Sequence, residues 1–243
     1  MGTTEPEKRA AARAALEEVT SGMRMGLGTG STVRHFLEGL ARAIEEGSIR
    51  DVAGVPTSRD TEDRCKALGI PLLELEEGTE LDLAVDGADE ISPRLDLVKG
   101  LGGALLREKI VAQAARRFVI IADAGKLVSG LGEKTPIPVE VAPFGWRAHF
   151  PYFRAMGARP EPRSGDGDAA ASLPATSDNG NYLIDLHFPS GVPDPAEMEE
   201  RLQRRSGVVE SGFFLGMAQR AYVAEPGGGV RTIDFDRPGG RGE

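Results

Sequence analysis

The segment Lys99-Gly-Leu-Gly-Gly-Ala-Leu-Leu-Arg-Glu-Lys109 places a cation, three glycines and a carboxylate on a loop that runs into a helix. Glycines let backbone N–H groups approach a ligand, and a helix start adds unpaired donors at the positive end of its dipole, so such a wall suits the oxygens of a small anionic substrate. Glu108 lies five residues after Gly103 and can lean back over the loop while Leu105, Leu106 and Ile110 pack inward. A carboxylate half buried beside apolar neighbours has its pKa raised toward neutrality and can shuttle protons. The same residues also fit a glycine-rich cap followed by an ordinary amphipathic helix with a solvated Arg107-Glu108-Lys109 face. This segment alone does not choose between the two.

Three more loops carry comparable chemistry. Gly26-Leu-Gly-Thr-Gly-Ser-Thr32 lies between a strand and a helix, where amides and the hydroxyls of Thr29, Ser31 and Thr32 suit a phosphate, or where a Ser or Thr simply caps the helix. It lacks the lysine of a Walker loop, its third glycine falls two residues after the second and so misses the dinucleotide fingerprint, and Pro56-Thr57 follows Val55 where an acid would hold a ribose. A small phosphorylated ligand therefore fits better than a nucleotide cofactor. Asp86-Gly-Ala-Asp89 ends an apolar strand with two carboxylates and Glu90 beside them, an arrangement that serves either substrate hydroxyls or its own turn. A divalent cation needs more oxygens than one turn supplies, and none of His35, His149 and His187 lies in these loops, so no metal is expected. Asp123-Ala-Gly-Lys126 follows the apolar run Phe118 to Ala122 and brings Lys126 to the same rim.

Positioning these loops requires strands that end together. Over 243 residues, 40% hydrophobic but only 5% aromatic, the composition suits helices on a parallel sheet rather than an aromatic-filled sandwich. A net charge of -9 opposes nucleic acid and anionic membranes. Cys65 alone cannot form an internal disulfide, and neither a signal peptide nor a membrane span is expected, which implies a cytoplasmic protein. The periodicities predict a helix over 6–20, strands near 23–28, 52–55, 72–75 and 81–85, and helices over 31–46, 58–68 and 103–116. This is a mostly parallel, doubly wound Rossmann-like α/β sheet. After Pro136 the rhythm changes, with a strand over 182–188, a helix over 195–205 and a strand over 208–214. A small α+β, ferredoxin-like domain over 132–207 is expected within a large catalytic domain formed by 1–131 and 208–235, with strands near 222–225 and 230–233. Residues 236–243 are expected to be a disordered tail.

Taken in order, Gly-Thr-Gly-Ser-Thr, Asp-Gly-Ala-Asp-Glu-Ile, Lys-Gly-x-Gly-Gly-Ala-Leu-x-Arg-Glu-Lys, Ala-Asp-x-x-Lys, Pro-Val-Glu-Val and Ser-Asp-Asn-Gly-Asn resemble the ribose-5-phosphate isomerase type A family, from Lys8 to Ile233. The resemblance implies an aldose–ketose isomerase of the pentose phosphate pathway, which interconverts ribose 5-phosphate and ribulose 5-phosphate through an enediolate without metal or organic cofactor. It implies that Glu108 is the base, that Lys99 neutralises developing charge, and that Asp86 and Asp89 handle hydroxyls, with the stronger catalytic claim on Asp86. By the same resemblance Thr29, Gly30, Ser31, Thr32 and Lys126 grip the substrate, with Gly87, Ala88, Gly100, Leu101 and Gly102 lining it and Lys8 a further phosphate contact. Leu101 stands where the family often has glycine, and Gly125 where it often has serine. The family implies a homodimer or homotetramer. Two rivals fit less well. A sugar-phosphate sensor needs a DNA-binding module, for which the segment before the first strand is too short. An aminosugar-phosphate deaminase or lactonase of similar topology would be expected to use a histidine.

Overall fold

A computed structural model of the chain describes residues 5–165 and 173–235. It opens with α1 (Glu5–Leu16) and then alternates β1 (Arg24–Leu27), α2 (Ser31–Glu45), β2 (Ala53–Pro56), α3 (Arg59–Leu68) and β3 (Leu83–Asp86). Short strands β4 (Glu90–Ile91) and β5 (Leu97–Val98) precede α4 (Leu105–Gln113), β6 (Phe118–Asp123) and a 3-10 turn at Ala124–Lys126. The next elements are β7 (Ile137–Val141), α5 (Phe150–Ala155), β8 (Arg159–Pro162), β9 (Tyr182–His187), α6 (Pro195–Gln203) and β10 (Val208–Ser211). β11 (Phe213–Phe214), β12 (Arg220–Ala224) and β13 (Val230–Asp234) follow.

The main sheet runs β13-β12-β6-β3-β1-β2 and is parallel except for β13. Alternate residues of β6 serve opposite faces: Val119 and Ile121 join the core under α1 and α2, while Phe118, Ile120 and Ala122 join the core that includes Ala112 of α4. Because its central strands point one way, the loops after β1, β3 and β6 meet beyond one edge of the sheet. The smaller sheet, β10-β7-β9-β8, is antiparallel and packs with α5 and α6 around Phe153, Met198 and Leu202, a βαββαβ arrangement of ferredoxin-like order. A third, three-stranded sheet, β11-β5-β4, carries the Lys99 loop.

Several expectations need correcting. Residues 72–75 form no named strand; the backbone of Gly54 hydrogen-bonds Pro71 and Leu73 at the sheet edge, a single bridge that an acidic stretch then leaves. The strand expected over 208–214 is two strands. β10 pairs with β7, so the small sheet reaches past the boundary expected at residue 207, and β11 turns to pair with β5. The break is at Gly212, where the chain passes so near the Lys99 backbone that a Cβ would lie 2.3 Å from the Lys99 oxygen. Gly212 N–H donates to Pro138 O and Gly212 O accepts from Lys99 N–H, which ties the two sheets at one residue. β12 and β13 do join the large sheet, as expected. The expected tail at 236–243 lies outside the described residues. Among the described residues no helix is long and apolar enough to cross a membrane.

Candidate active site

Where the three strand-end loops and the Lys99 loop converge, they enclose a cavity of about 140 Å³. The Lys99 side chain enters from below, buried along with Asp86 and Glu108. Its Nζ donates to Gly87 O at 2.6 Å and lies 3.0 Å from Asp86 Oδ2 and 3.4 Å from Glu108 Oε1. The Phe214 ring closes the apolar side, its centroid 5.5 Å from the ammonium. Two carboxylates thus share one buried cation, which can neutralise only one of them fully. Asp86 has the better claim, since its Oδ1 also accepts from the N–H groups of Thr29 and Gly87.

Glu108 is left as the basic member. Its Oε2 is buried and finds no protein partner, and burial, with Asp86 and Asp89 adding to it, pushes its pKa up to about 8 against the pull of Lys99. Burial also raises Asp86, opposed by Lys99 and the two amides. Burial alone would lower Lys99, but the Asp86 and Glu108 carboxylates outweigh it and leave the ammonium's pKa raised. The site therefore holds a secure cation beside a carboxyl able to exchange a proton near neutrality.

On α4 the expected burial of Ile110 and the alternative of a solvated Glu108-Lys109 face both need correcting, whereas Leu105 packs inward as expected. Ile110 is 45% exposed, whereas Glu108 and Lys109 are each 5% exposed. Lys109 is held from the other domain by Glu199 at 3.1 Å, Glu210 at 2.6 Å and Ser211 O at 3.0 Å. Those distant partners roll the helix so that Glu108 faces the cavity rather than solvent.

At the other end of the cavity α2 begins without a side-chain cap. Gly30, with φ 124°, adopts a backbone open to glycine and turns the first amides of α2 toward the cavity lined by Ser31, Thr32 and Val33. Lys126 lines the same end and has no carboxylate partner among the described residues. The Thr29 hydroxyl, expected to reach a phosphate, instead lies 2.8 Å from the hydroxyls of Thr57 and Ser58 and 3.0 Å from that of Thr61. With its N–H given to Asp86 as well, Thr29 fastens the loop to β3 and α3 and leaves the ligand to the residues that follow it.

Gly30, Gly87, Ala88, Asp89, Gly100 and Gly102 line the cavity as expected, but Asp86 and Leu101 do not. Asp86 lies beneath the floor. Leu101 sits between Gly100 (φ 99°) and Gly103 (φ 83°), needs no positive φ itself and is partly exposed, so the loop accommodates a side chain there. Lys8 pairs with Glu5 on α1 and does not line the cavity. Sequence reasoning missed Val33, Ile121, Ala122 and Asp123 as wall residues; the first three signal only as apolar positions next to the loops.

A family model described as ribose 5-phosphate isomerase A (phosphoriboisomerase A) matches residues 53–228. A protein named ribose-5-phosphate isomerase A from Gluconobacter oxydans is 49% identical over 91% of this chain and 94% of its own length. A solved D-ribose-5-phosphate isomerase in complex with phospho-erythronic acid superposes with TM-score 0.90 at 38% identity, covering 96% of this chain and all of that one. Ribose 5-phosphate isomerase from Plasmodium falciparum also gives TM-score 0.90, at 36% identity over 95% of this chain and 99% of its own.

Proposed function

Because this chain belongs to the ribose 5-phosphate isomerase A family and interconverts ribose 5-phosphate and ribulose 5-phosphate, we propose that Glu108, Lys99 and Asp89 act directly on the opened sugar while Asp86 holds Lys99. Moving the carbonyl from C1 to C2 requires a base that removes the C2 proton and returns it to C1. The observation that carries this assignment is Glu108 Oε2, a buried, unpartnered carboxylate oxygen at the cavity wall, beside an ammonium.

Asp89, the member of the Asp pair that reaches the cavity, takes the O1 hydroxyl proton as the C1–O4 bond breaks and passes it to the leaving ring oxygen, which regenerates its carboxylate. Ionised Glu108 then accepts the C2 proton. The C2–H electron pair becomes the C1–C2 double bond, and the carbonyl pair moves to O1. Lys99 and the loop amides stabilise the resulting enediolate oxygens, and the proton on O2 passes to O1 by way of Asp89. Return of the proton from Glu108 to C1 leaves the carbonyl at C2. The phosphate lies at the far end, on the amides that open α2, the hydroxyls of Ser31 and Thr32, and Lys126.

The ligand of the solved relative fits this chemistry, without bearing on which end of the cavity holds its phosphate. Phospho-erythronic acid carries a planar, doubly oxygenated anion four carbons from its phosphate end, as the enediolate does. We place the enzyme in the non-oxidative branch of the pentose phosphate pathway, in the cytoplasm, as a homodimer or homotetramer.

The test is Glu108→Gln assayed with ribose 5-phosphate. Turnover is expected to fall by about 10² or more, as for loss of a positioned base, with affinity for ribitol 5-phosphate retained. Near-normal turnover removes Glu108 from the role.

A further inference from the structure

Arg163 stands outside the cavity, one residue past β8 in the small domain, yet its guanidinium grips the active-site loop. Nε and Nη2 donate to the two oxygens of Asp185 on β9, the first at 3.0 Å, a forked pair that fixes the plane of the group. Nη1 is thereby aimed at the loop and donates to Gly100 O at 3.0 Å and Leu101 O at 2.9 Å.

The consequence follows from peptide geometry. A trans peptide points its carbonyl and the next N–H in opposite directions, and the described chain contains no cis bond. Drawing Gly100 O toward Arg163 turns Leu101 N–H away from it, and that N–H donates to Asp89 Oδ2 at 2.9 Å on the cavity wall. Drawing Leu101 O toward Arg163 likewise turns Gly102 N–H toward the cavity that Gly102 lines, and no acceptor for it exists among the described residues. The loop is therefore held between a cation on one side and the sugar-binding cavity on the other, with Gly102 N–H as the donor left facing the sugar.

We infer that Arg163, anchored by Asp185, is a positioning residue for the isomerisation: it sets the polarity of the Gly100–Gly102 peptides so that Gly102 N–H meets an enediolate oxygen. The inference rests on the reading of the Lys99 loop given above. It makes the small domain a contributor to the chemistry through a side chain that touches no substrate.

The experiment compares Arg163→Met, Arg163→Lys and Asp185→Asn with wild type and with Lys99→Met. Removing or misplacing one oxyanion donor should lower kcat by about tenfold or more while KM changes little. Affinity for phospho-erythronic acid should fall in proportion to kcat, whereas affinity for ribitol 5-phosphate, which carries no developing charge, should hold. Lysine, which can reach a carbonyl but cannot fork onto Asp185, should restore part of the loss. Asp185→Asn keeps Arg163 and half of its anchor, so it provides the readout if Arg163→Met fails to fold. Unchanged kcat in folded variants, or equal losses for the two ligands, overturns the inference. If Lys99→Met itself retains full turnover, the fault lies instead in the reading of the loop.

Discussion

Replacing Glu108 by glutamine should make the protein more stable as it makes it inactive. The side chain is 5% exposed, and its carboxyl is pushed from the ordinary 4.5 up to about 8, chiefly by burial. A carboxyl with a raised folded-state pKa favours folding while protonated and opposes it increasingly as pH climbs from the unfolded pKa toward the folded one. At about 1.4 kcal/mol per pH unit, the ionised unfolded chain at pH 7 gains about 3 kcal/mol over a folded state that holds the group neutral. Glutamine keeps the shape and a carbonyl for Lys99 but does not titrate, so this penalty disappears. Relative to wild type, Glu108→Gln should gain less than about 1 kcal/mol at pH 5 and about 3 kcal/mol at pH 7, and the gain should level off at about 5 kcal/mol above pH 8. For a chain of this size the gain at pH 7 corresponds to roughly 5–10 °C in Tm. Urea unfolding of both proteins from pH 5 to 9 measures the difference directly. A stability difference that is zero or independent of pH would refute the argument, because Lys99 would then be compensating the Glu108 charge in full and no elevated basicity would remain.

Other consequences follow from the same geometry. Because Glu108 must be ionised to accept the C2 proton, kcat/KM should rise with pH and level off above about 8, as a rate profile at constant ionic strength would show; a profile already flat at pH 6 contradicts the raised pKa. Lys126→Ala should raise KM for ribose 5-phosphate about tenfold or more with kcat nearly unchanged, since it removes one charged contact at the phosphate end. Gly28→Ala should abolish activity and lower stability by more than about 2 kcal/mol, because the added Cβ would lie 2.3 Å from the Asp86 carboxyl; a folded, active variant would show that this floor can yield.

Much of this architecture is legible in the amino-acid order because local signals and tertiary needs agree. Gly30 and Lys126 follow strands of the parallel sheet and Asp86 ends one, so reading the strands already gathers their loops at one edge. The helix Arg59–Leu68 shows its bounds through the Ser58 cap and the left-handed Gly69. What could not be read depends on partners far along the chain. Amphipathicity puts Ile110 inside and leaves Glu108 open between the loop and solvent, and the choice is made where Glu199 and Glu210 capture Lys109 from the other domain. β8, Arg-Pro-Glu-Pro, breaks the usual strand signal and survives as an edge strand, where a missing N–H is harmless. Arg163 directly after it shows no local sign of its distant task, and Gly212 reads as one more residue of a continuous strand.

The crossing at Gly212 bears on how freely the two modules could be exchanged among relatives. A chimera cut at the apparent edges of the ferredoxin-like unit would sever a splice point where foreign β7 and β10 must meet the backbone of the host's lysine loop within a fraction of an ångström. Recombination should succeed only when the donor segment brings β5, β11 and the glycine between β10 and β11 along with it. The modules are separate in shape but joined as a single working part.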